Sequence, residues 1–223
     1  MNEDYDLIAS GGINGAMRLW RMGSGEVIGE PLRGHEDEVR SVSVSSDGQR
    51  VVSRSHDETI RIWSVRYGKE AMNPICGHDE AVASVAVSRN NQHIVSGSLD
   101  GTVRLWGMLH GKQVREPLHG HEDFVNSVAV SDDCRVIASV SSDHTVRVWN
   151  VSQEEVVETV RGGHTQRVSC VALNEDGSRV VSGSYDGTVR AWNALNAKYG
   201  VSAVEKKEGR KATVSVLALT ERL

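Results

Sequence analysis

Several features that identify common protein classes are missing from this chain of 223 residues. It has only three cysteines, three prolines and one phenylalanine, and aromatic residues make up 4% of it. No run of about 18 apolar residues is present to span a bilayer. The acidic start, MNEDYDLIAS, lacks the basic and then apolar run of a secretion signal. We therefore expect an intracellular protein, cytoplasmic or nuclear and not secreted, with no membrane partner.

Cysteine spacing and charge argue against two further classes. Cys76, Cys134 and Cys170 are odd in number and widely spaced, so they predict small apolar side chains rather than a disulfide framework or a zinc site. The 25 basic residues are scattered singly in a chain of net charge −5, which predicts no basic patch for nucleic acid. No Gly-x-Gly-x-x-Gly or Walker-type loop is present. We expect no metal, no cofactor and no nucleic-acid partner.

What the chain has instead is an internal repeat. The phrase SGSLDGTVRLW (96–106) returns nearly unchanged as SGSYDGTVRAW (182–192), and successive tryptophans lie 43 positions apart. Four Gly-His pairs and four aspartates keep the same interval. The tryptophans are Trp20, Trp63, Trp106, Trp149 and Trp192. Such a period indicates that one supersecondary unit is copied about five times.

Alternating apolar residues predict β-strands within each unit. VRSVSVS (39–45) and VASVAVS (82–88) alternate with period two. A turn such as Asp47-Gly48 follows, then a second β-branched run and a third strand that ends at the tryptophan. A weaker fourth strand, such as EVIGEP (26–31), fills the period. Because one such sheet cannot bury both faces alone, we expect an all-β propeller of about five four-stranded antiparallel blades.

The recurring residues resemble those of a known family. The Gly-His opening, the Ser-x-Ser-x-Asp-x-Thr segment and the tryptophan six residues after the aspartate are similar to the WD-repeat (WD40) β-propellers across essentially the whole chain. The likeness is greatest to near-identical tandem WD-repeat arrays of large signalling proteins, particularly over residues 29–53. One position departs from the family name, because none of the tryptophans is followed by aspartate.

We expect a single propeller domain over residues 1–223. The predicted blades lie near residues 5–33 together with 210–220, 34–76, 77–119, 120–162 and 163–209. The chain opens midway through a repeat, and VSVLAL (214–219) matches VSCVAL (168–173). As in the family's usual closure, we expect the C-terminal strand to complete the N-terminal blade. In that blade, Asn14 replaces the aspartate and Arg210 replaces the histidine.

Each complete unit contains a histidine, a serine, an aspartate and a tryptophan at fixed spacing. A hydrolase needs one triad beside one oxyanion hole, whereas these residues recur four times at equal intervals. The resemblance assigns them to a buried, structural hydrogen-bonded chain, and we predict no catalytic residue. The four sets are His35, Ser53, Asp57 and Trp63; His78, Ser96, Asp100 and Trp106; His121, Ser139, Asp143 and Trp149; and His164, Ser182, Asp186 and Trp192.

The resemblance also indicates where partners would dock. In the family, the top face of the ring is lined by the residues three and five after the histidine and by the residue before the repeat aspartate. The candidate partner-binding residues are therefore Glu38, Arg40, His56, Leu99, Phe124, Asn126, Arg167 and Tyr185, with Ala81, Ala83, Ser142 and Ser169 at the other positions of the set. Because aromatic residues and arginine dominate binding energies, we rank first Phe124, Tyr185, Arg40 and Arg167.

Two functions remain open from the sequence. The first is a noncatalytic protein-protein interaction scaffold that presents a peptide- or protein-binding top face within a larger complex. The second is a fragment or self-associating structural array from a longer signalling protein, which would complete its ring with another copy. A hydrolase would need a triad present once, and the sequence has none.

Overall fold

A computed structural model describes residues 7–151, 158–160, 163–194 and 205–206 of the chain. Within these ranges the protein is all-β, as the sequence predicted. No helix there is long and apolar enough to cross a membrane. In chain order the strands are β1 Leu7–Gly11, β2 Met17–Arg21, β3 Val39–Val44, β4 Arg50–Ser55, β5 Ile60–Ser64, β6 Lys69–Glu70, β7 Val82–Val87, β8 His93–Ser98, β9 Val103–Gly107, β10 Val125–Val130, β11 Val136–Ser141, β12 Val146–Asn150, β13 Glu158–Val160, β14 Val168–Leu173, β15 Arg179–Ser184, β16 Thr188–Asn193 and β17 Glu205–Lys206.

The strands form five antiparallel sheets, which are the blades of a β-propeller. Blade 1 contains β1 and β2, blade 2 contains β3 to β6, blade 3 contains β7 to β9, blade 4 contains β10 to β13, and blade 5 contains β14 to β17. Within each blade, consecutive strands are hydrogen-bonded neighbours. In blade 3, isolated bridges that pair Val103 with Leu118 and Trp106 with Gln113 stand where a fourth strand was predicted.

A tight turn joins the first and second strands of blades 2 to 5. One residue of each turn has a positive φ, and these residues are Gly48, Asn91, Cys134 and Gly177. Glycine and asparagine adopt this conformation at low cost. Cys134 adopts it with φ 61° while its side chain is buried. The residue that the sequence predicted to be an apolar filler is therefore also a turn residue.

The hydrophobic core lies between successive blades. β1 packs against β3, β3 against β7, β7 against β10, and β10 against β14. Between blades 2 and 3, for example, Ile60 and Ile62 of β5 share one buried cluster with Val82 of β7 and Ile94 of β8. Since both faces of a sheet are apolar, a blade is stable only when it lies beside its neighbours.

A β-bulge interrupts the first strand of blades 2 to 5 near its start. One residue of each strand falls outside the regular pairing with the second strand. A bulge bends the strand and redirects the side chain of the extra residue. The residues at the four bulges are Arg40, Ala83, Asn126 and Ser169. Equivalent positions of four blades are thus directed towards one end of the propeller.

Blade 1 is the most incomplete sheet in the described part of the chain. Its two strands are continued by isolated bridges, which pair Met17 with Leu32 and Trp20 with Val27. The predicted completion of this blade by residues 210–220 lies outside the described residues. Closure of the ring by the C-terminal strand therefore stays a prediction.

Candidate functional site

The recurring polar residues form one hydrogen-bonded chain in blade 3. Trp106 Nε1 donates to Ser96 Oγ over 2.8 Å, and His78 Nε2 lies 2.7 Å from the same hydroxyl oxygen. His78 Nδ1 lies 2.8 Å from Asp100 Oδ2. The chain therefore joins the loop before β7 to β8, to β9 and to the turn between them.

The same chain recurs in the neighbouring blades. In blades 2 and 4 the corresponding atoms are 2.7 to 2.9 Å apart in the sets His35, Ser53, Asp57, Trp63 and His121, Ser139, Asp143, Trp149. In blade 5, the His164 ring lies 2.8 Å from Ser182 Oγ and 2.9 Å from Asp186 Oδ2. The side chain of Trp192, the fourth member of that set, lies outside the described residues.

The direction of each hydrogen bond follows from the chemistry of the four groups. An ionised aspartate only accepts, and an indole N–H only donates. The histidine Nδ1–H therefore donates to the aspartate, and its Nε2 accepts from the serine hydroxyl. The serine oxygen accepts in turn from the indole N–H. The histidine is neutral in this arrangement, and each buried polar group in the chain has a partner.

The aspartates of these chains have lowered pKa values. Burial alone would raise the pKa of Asp100, but hydrogen bonds from His78 and Thr102 outweigh this effect and hold the pKa well below its usual range. Hydrogen bonds likewise outweigh burial and lower the pKa of Asp143 and Asp186. Because each carboxylate is ionised and occupied by donors, it is poorly suited to accept a proton in a reaction.

The position of the four-residue chains also fits a structural role. His78 and Trp106 are buried, and Ser96 has no exposed surface at all. A nucleophile must instead reach its substrate. Within the described ranges, no three or more His, Cys, Asp or Glu side chains are grouped so that they could hold a metal ion.

A cavity of about 310 Å³ opens where the first strands of blades 2 to 5 begin. All four bulge residues line it, so side chains from blades 2 to 5 meet at one opening. We call the end of the propeller that contains this cavity the top face. The predicted partner-binding residues that line the cavity are Arg40, His56, Ala81, Ala83, Leu99, Asn126, Arg167, Ser169 and Tyr185.

Three residues of the predicted set stand outside the cavity lining. Glu38 forms an ion pair with Arg40, with 2.8 Å between Oε2 and Nε. Ser142 Oγ accepts a hydrogen bond from Asn126 Nδ2 over 3.0 Å and so holds that amide at the wall. Phe124 immediately precedes β10 and is 45% exposed. Two of the three thus support cavity residues, and the third adds apolar surface beside them.

Arg167 and Tyr185 form a stacked pair in the cavity wall. The guanidinium carbon of Arg167 lies 3.7 Å from the centroid of the Tyr185 ring, well within the range of a cation–π contact. The backbone N–H of Tyr185 donates to the carbonyl oxygen of Arg167 over 3.1 Å. The contact fixes the arginine, while the ring stays 39% exposed.

One charged residue of the cavity was missed by sequence reasoning. Arg54 of β4 is only 7% exposed, and its Nε has no hydrogen-bond partner among the described residues. Burial, with a smaller effect from Arg40, lowers its pKa to about 10, and the Glu38 carboxylate only partly opposes this shift. The corresponding positions in blades 3, 4 and 5 are Gly97, Val140 and Gly183. A residue-by-residue comparison of the second strands would have found it, because a charge replaces glycine or valine.

Comparisons with known families and structures agree with this architecture. The family model described as "WD domain, G-beta repeat" matches residues 25–64, 70–107, 111–150 and 155–193, which is more than half of the chain. No curated protein matches the chain. A crystal structure of the computationally designed Ika8 protein is 26% identical with a TM-score of 0.79. That match covers 97% of this chain and 63% of the designed one, so this chain spans less than two thirds of the designed protein. The predicted resemblance is confirmed, and the chain belongs to the WD40 family of G-beta repeats.

Proposed function

We propose that the chain is a noncatalytic scaffold whose top face binds a peptide or protein partner within a larger complex. WD40 repeats generally act as protein-interaction scaffolds and bind protein partners. The observation that supports a specific binding face is the cavity, where side chains from four blades meet at one opening. A concave site with a few convergent polar groups is the usual form of a recognition site.

The residue types at equivalent positions distinguish the proposed binding positions, which differ between blades, from the positions that hold the fold together, which do not. The buried polar chain repeats the same residue types from blade to blade, because each copy has the same structural task. The bulge positions instead hold arginine, alanine, asparagine and serine. Such a set gives one opening a directional pattern of charge, hydrogen-bonding groups and small apolar groups. A purely structural role for the repeats does not require that pattern.

Exposed aromatic side chains lie close to this opening. Tyr185 is part of the cavity wall, and Phe124 directly precedes β10, which carries the cavity residue Asn126. Truncation of an aromatic or arginine residue at the centre of an interface typically costs about 2 kcal/mol or more of binding energy. We therefore propose that Phe124 and Tyr185, together with Arg40 and Arg167, contribute most to partner binding.

The same proposal includes an intracellular location and excludes nucleic acid and membranes as partners. A net charge of −5 opposes nonspecific attraction to phosphate backbones or anionic lipid surfaces.

The proposal is tested by replacing the two exposed aromatic residues of the top face, Phe124 and Tyr185, with alanine. Affinity capture from cell extract, followed by mass spectrometry, should recover specific partners with the wild-type chain and lose them with the Phe124→Ala, Tyr185→Ala double variant. A matched control is the Tyr67→Ala, Leu109→Ala variant, since these side chains are 66% and 64% exposed in the turns after β5 and β9, away from the cavity. Thermal melts should show both variants folded.

Loss of partners in the top-face variant alone would support the proposal. If that variant keeps every partner and the control loses them, binding occurs at the opposite end of the propeller and the proposed face is wrong.

A further inference from the structure

We propose that the top-face cavity binds an anionic group, a carboxylate or a phosphoryl group, on an acidic peptide segment of the partner. This inference rests on the proposed function and specifies the chemistry of the partner. It is carried by Arg54, a buried arginine that the repeat architecture does not require.

The cavity is strongly cationic in a protein of negative net charge. Arg40, Arg54 and Arg167 line it, and among the described residues no aspartate or glutamate belongs to the lining. Glu38, outside the lining, pairs with the Nε of Arg40 and acts on Arg54 through its charge without a hydrogen bond or ion pair to it. Since the chain as a whole carries a net charge of −5, the positive charge of this opening is a local feature and does not reflect the general composition.

Arg54 differs from two other arginines that have an unpaired buried Nε. Arg61 pairs through Nη1 with Glu70, and Arg104 Nη1 donates to Gln113 over 3.0 Å. Arg54 has no hydrogen bond or ion pair with any described side chain, although 93% of its surface is buried, as its 7% exposure implies. An arginine is almost never buried so deeply without a partner. An anion that enters the cavity would supply that partner.

The repeat shows that Arg54 has no structural task at its position. β8, β11 and β15 form the same strand with glycine, valine and glycine there. A buried unpaired charge destabilises the free protein, because burial removes its hydration. A residue that opposes folding and lines a cavity is typical of a binding site, where stability is exchanged for function.

The surroundings of Arg54 suit an acidic side chain on a peptide. Leu99, Ala81 and the Tyr185 ring line the same cavity and can contact the aliphatic part of such a side chain. Guanidinium groups bind carboxylate and phosphoryl oxygens through paired, charge-assisted hydrogen bonds. The cationic groups meet in one opening instead of following a groove, so a single anionic group fits better than an extended nucleic-acid backbone.

A peptide selection tests this inference and does not require the natural partner. A random dodecapeptide library displayed on phage is panned against the full chain, and the selected sequences are synthesised. We expect each selected peptide to contain an aspartate or glutamate whose replacement by the matching amide weakens Kd about tenfold. Affinity for the acidic peptide should also fall as salt concentration rises.

The Arg54→Val variant, which introduces the residue found in blade 4, assigns the effect to the buried arginine. This variant should bind the acidic peptide about tenfold more weakly than the wild type does, and the amide peptide only slightly more weakly. The effect of removing the arginine would then depend on the presence of the carboxylate, as expected for two groups in contact. Arg135→Gln is the control, because Arg135 is exposed and paired with Asp133 in a turn remote from the cavity. If Arg54→Val does not fold, Arg167→Gln serves the same comparison.

Each outcome of the selection has a distinct meaning. Tighter binding of a phosphoserine peptide than of the glutamate peptide identifies a phosphoryl group as the anion, and weaker binding identifies a carboxylate. Neutral peptides that bind Arg54→Val as well as the wild type overturn this inference but leave the proposed function intact. If those neutral peptides also bind the Phe124→Ala, Tyr185→Ala variant unchanged, they bind away from the top face, and the proposed function is overturned as well. A selection that yields no peptide overturns the inference.

Discussion

Blades 3 and 1 share a pair of equivalent strands, β8 and β9 in blade 3 and β1 and β2 in blade 1, but not the polar chain that ties blade 3 together. In blade 3, Asp100 accepts hydrogen bonds from both His78 and Thr102. In blade 1, the equivalent Asn14 accepts, among described residues, a single bond from the backbone N–H of Ala16 over 3.2 Å. Ala16 occupies the position of Thr102 and cannot donate through its side chain. Side-chain hydrogen bonds therefore tie blade 3 together, whereas the described residues of blade 1 contain no equivalent chain.

The two blades nevertheless have similar apolar packing. Met17 and Leu19 of blade 1 are buried in a cluster with residues of blade 2, as Val103 and Leu105 of blade 3 are buried against blade 4. Contact between apolar faces is therefore common to both blades. The polar chain has a different task, which is to fix the preceding loop and the turn onto the sheet.

Acid should have the largest effect on this comparison, because it acts on all complete blades at once. The pKa values of Asp100 and Asp143 are lowered in the folded protein, so their stabilisation is complete above about pH 4 and is lost as the pH falls below it. Burial lowers the pKa of His35 and His164 despite their aspartate partners. Unfolded chains bind those protons below about pH 6.5, so stability already declines there.

Urea unfolding at pH 7, 5, 4 and 3 measures this effect. The midpoint should decrease slightly between pH 7 and 5 and steeply below pH 4. Since Asn14 does not titrate, the free energy of opening obtained from amide exchange, corrected for the intrinsic pH dependence of exchange, should change least in blade 1. A midpoint that is constant from pH 7 to pH 3 would show that the polar chains contribute nothing to stability.

Removal of a tryptophan should have the next largest effect. Trp106 is 3% exposed and donates to Ser96, so Trp106→Ala should lower the free energy of unfolding by about 3 to 5 kcal/mol. Trp20 in blade 1 is half-buried, and Trp20→Ala should cost less. Urea unfolding of both variants gives the two values. Equal losses of unfolding free energy would contradict the distinction between blade 3, which has the polar chain, and blade 1, which lacks it among the described residues.

Exchange of the aspartate and asparagine between the two blades should have a smaller effect. Asp100→Asn removes the charge and leaves an amide in contact with donors, which should cost about 1 to 3 kcal/mol. Asn14→Asp, the reciprocal change, should shift stability by no more than about 0.5 kcal/mol, because no histidine faces this position in the described part of the chain. Denaturation midpoints of the matched pair are compared. A gain in stability from Asn14→Asp would indicate a donor opposite position 14, such as Arg210 at the predicted place of the histidine.

Much of this architecture was predictable from the sequence because the repeat is regular. Period-two alternation and turn residues predicted the strands, and the 43-residue interval placed each histidine with the serine, aspartate and tryptophan that it contacts in blade 3. Because the pattern recurs four times, a deviation in one repeat does not hide it. Sequence reasoning works best for such recurring positions.

The cavity was harder to predict because its lining residues differ from one repeat to the next. The predicted positions are counted from the histidine and the aspartate of each repeat, and Arg54 was missed because it lies within β4. Phe124 was ranked first but stands outside the lining, although Ala81 and Arg167 at equivalent positions belong to it. Position within a repeat predicts where a backbone lies, but the direction of a long side chain also depends on its neighbours.

Local opening of the two blades should differ by the smallest amount. Without the polar chain, amides of β2 should exchange through openings about 1 kcal/mol less costly than those of β9, which is the net value of one hydrogen bond. Native-state hydrogen exchange, followed by mass spectrometry of peptides that cover Met17–Arg21 and Val103–Gly107, measures the difference. If β2 proves as protected as β9, another segment must tie blade 1 to the ring. Deletion of residues 212–223 would then identify that segment as the predicted C-terminal strand, because protection would be lost in β2 and kept in β9.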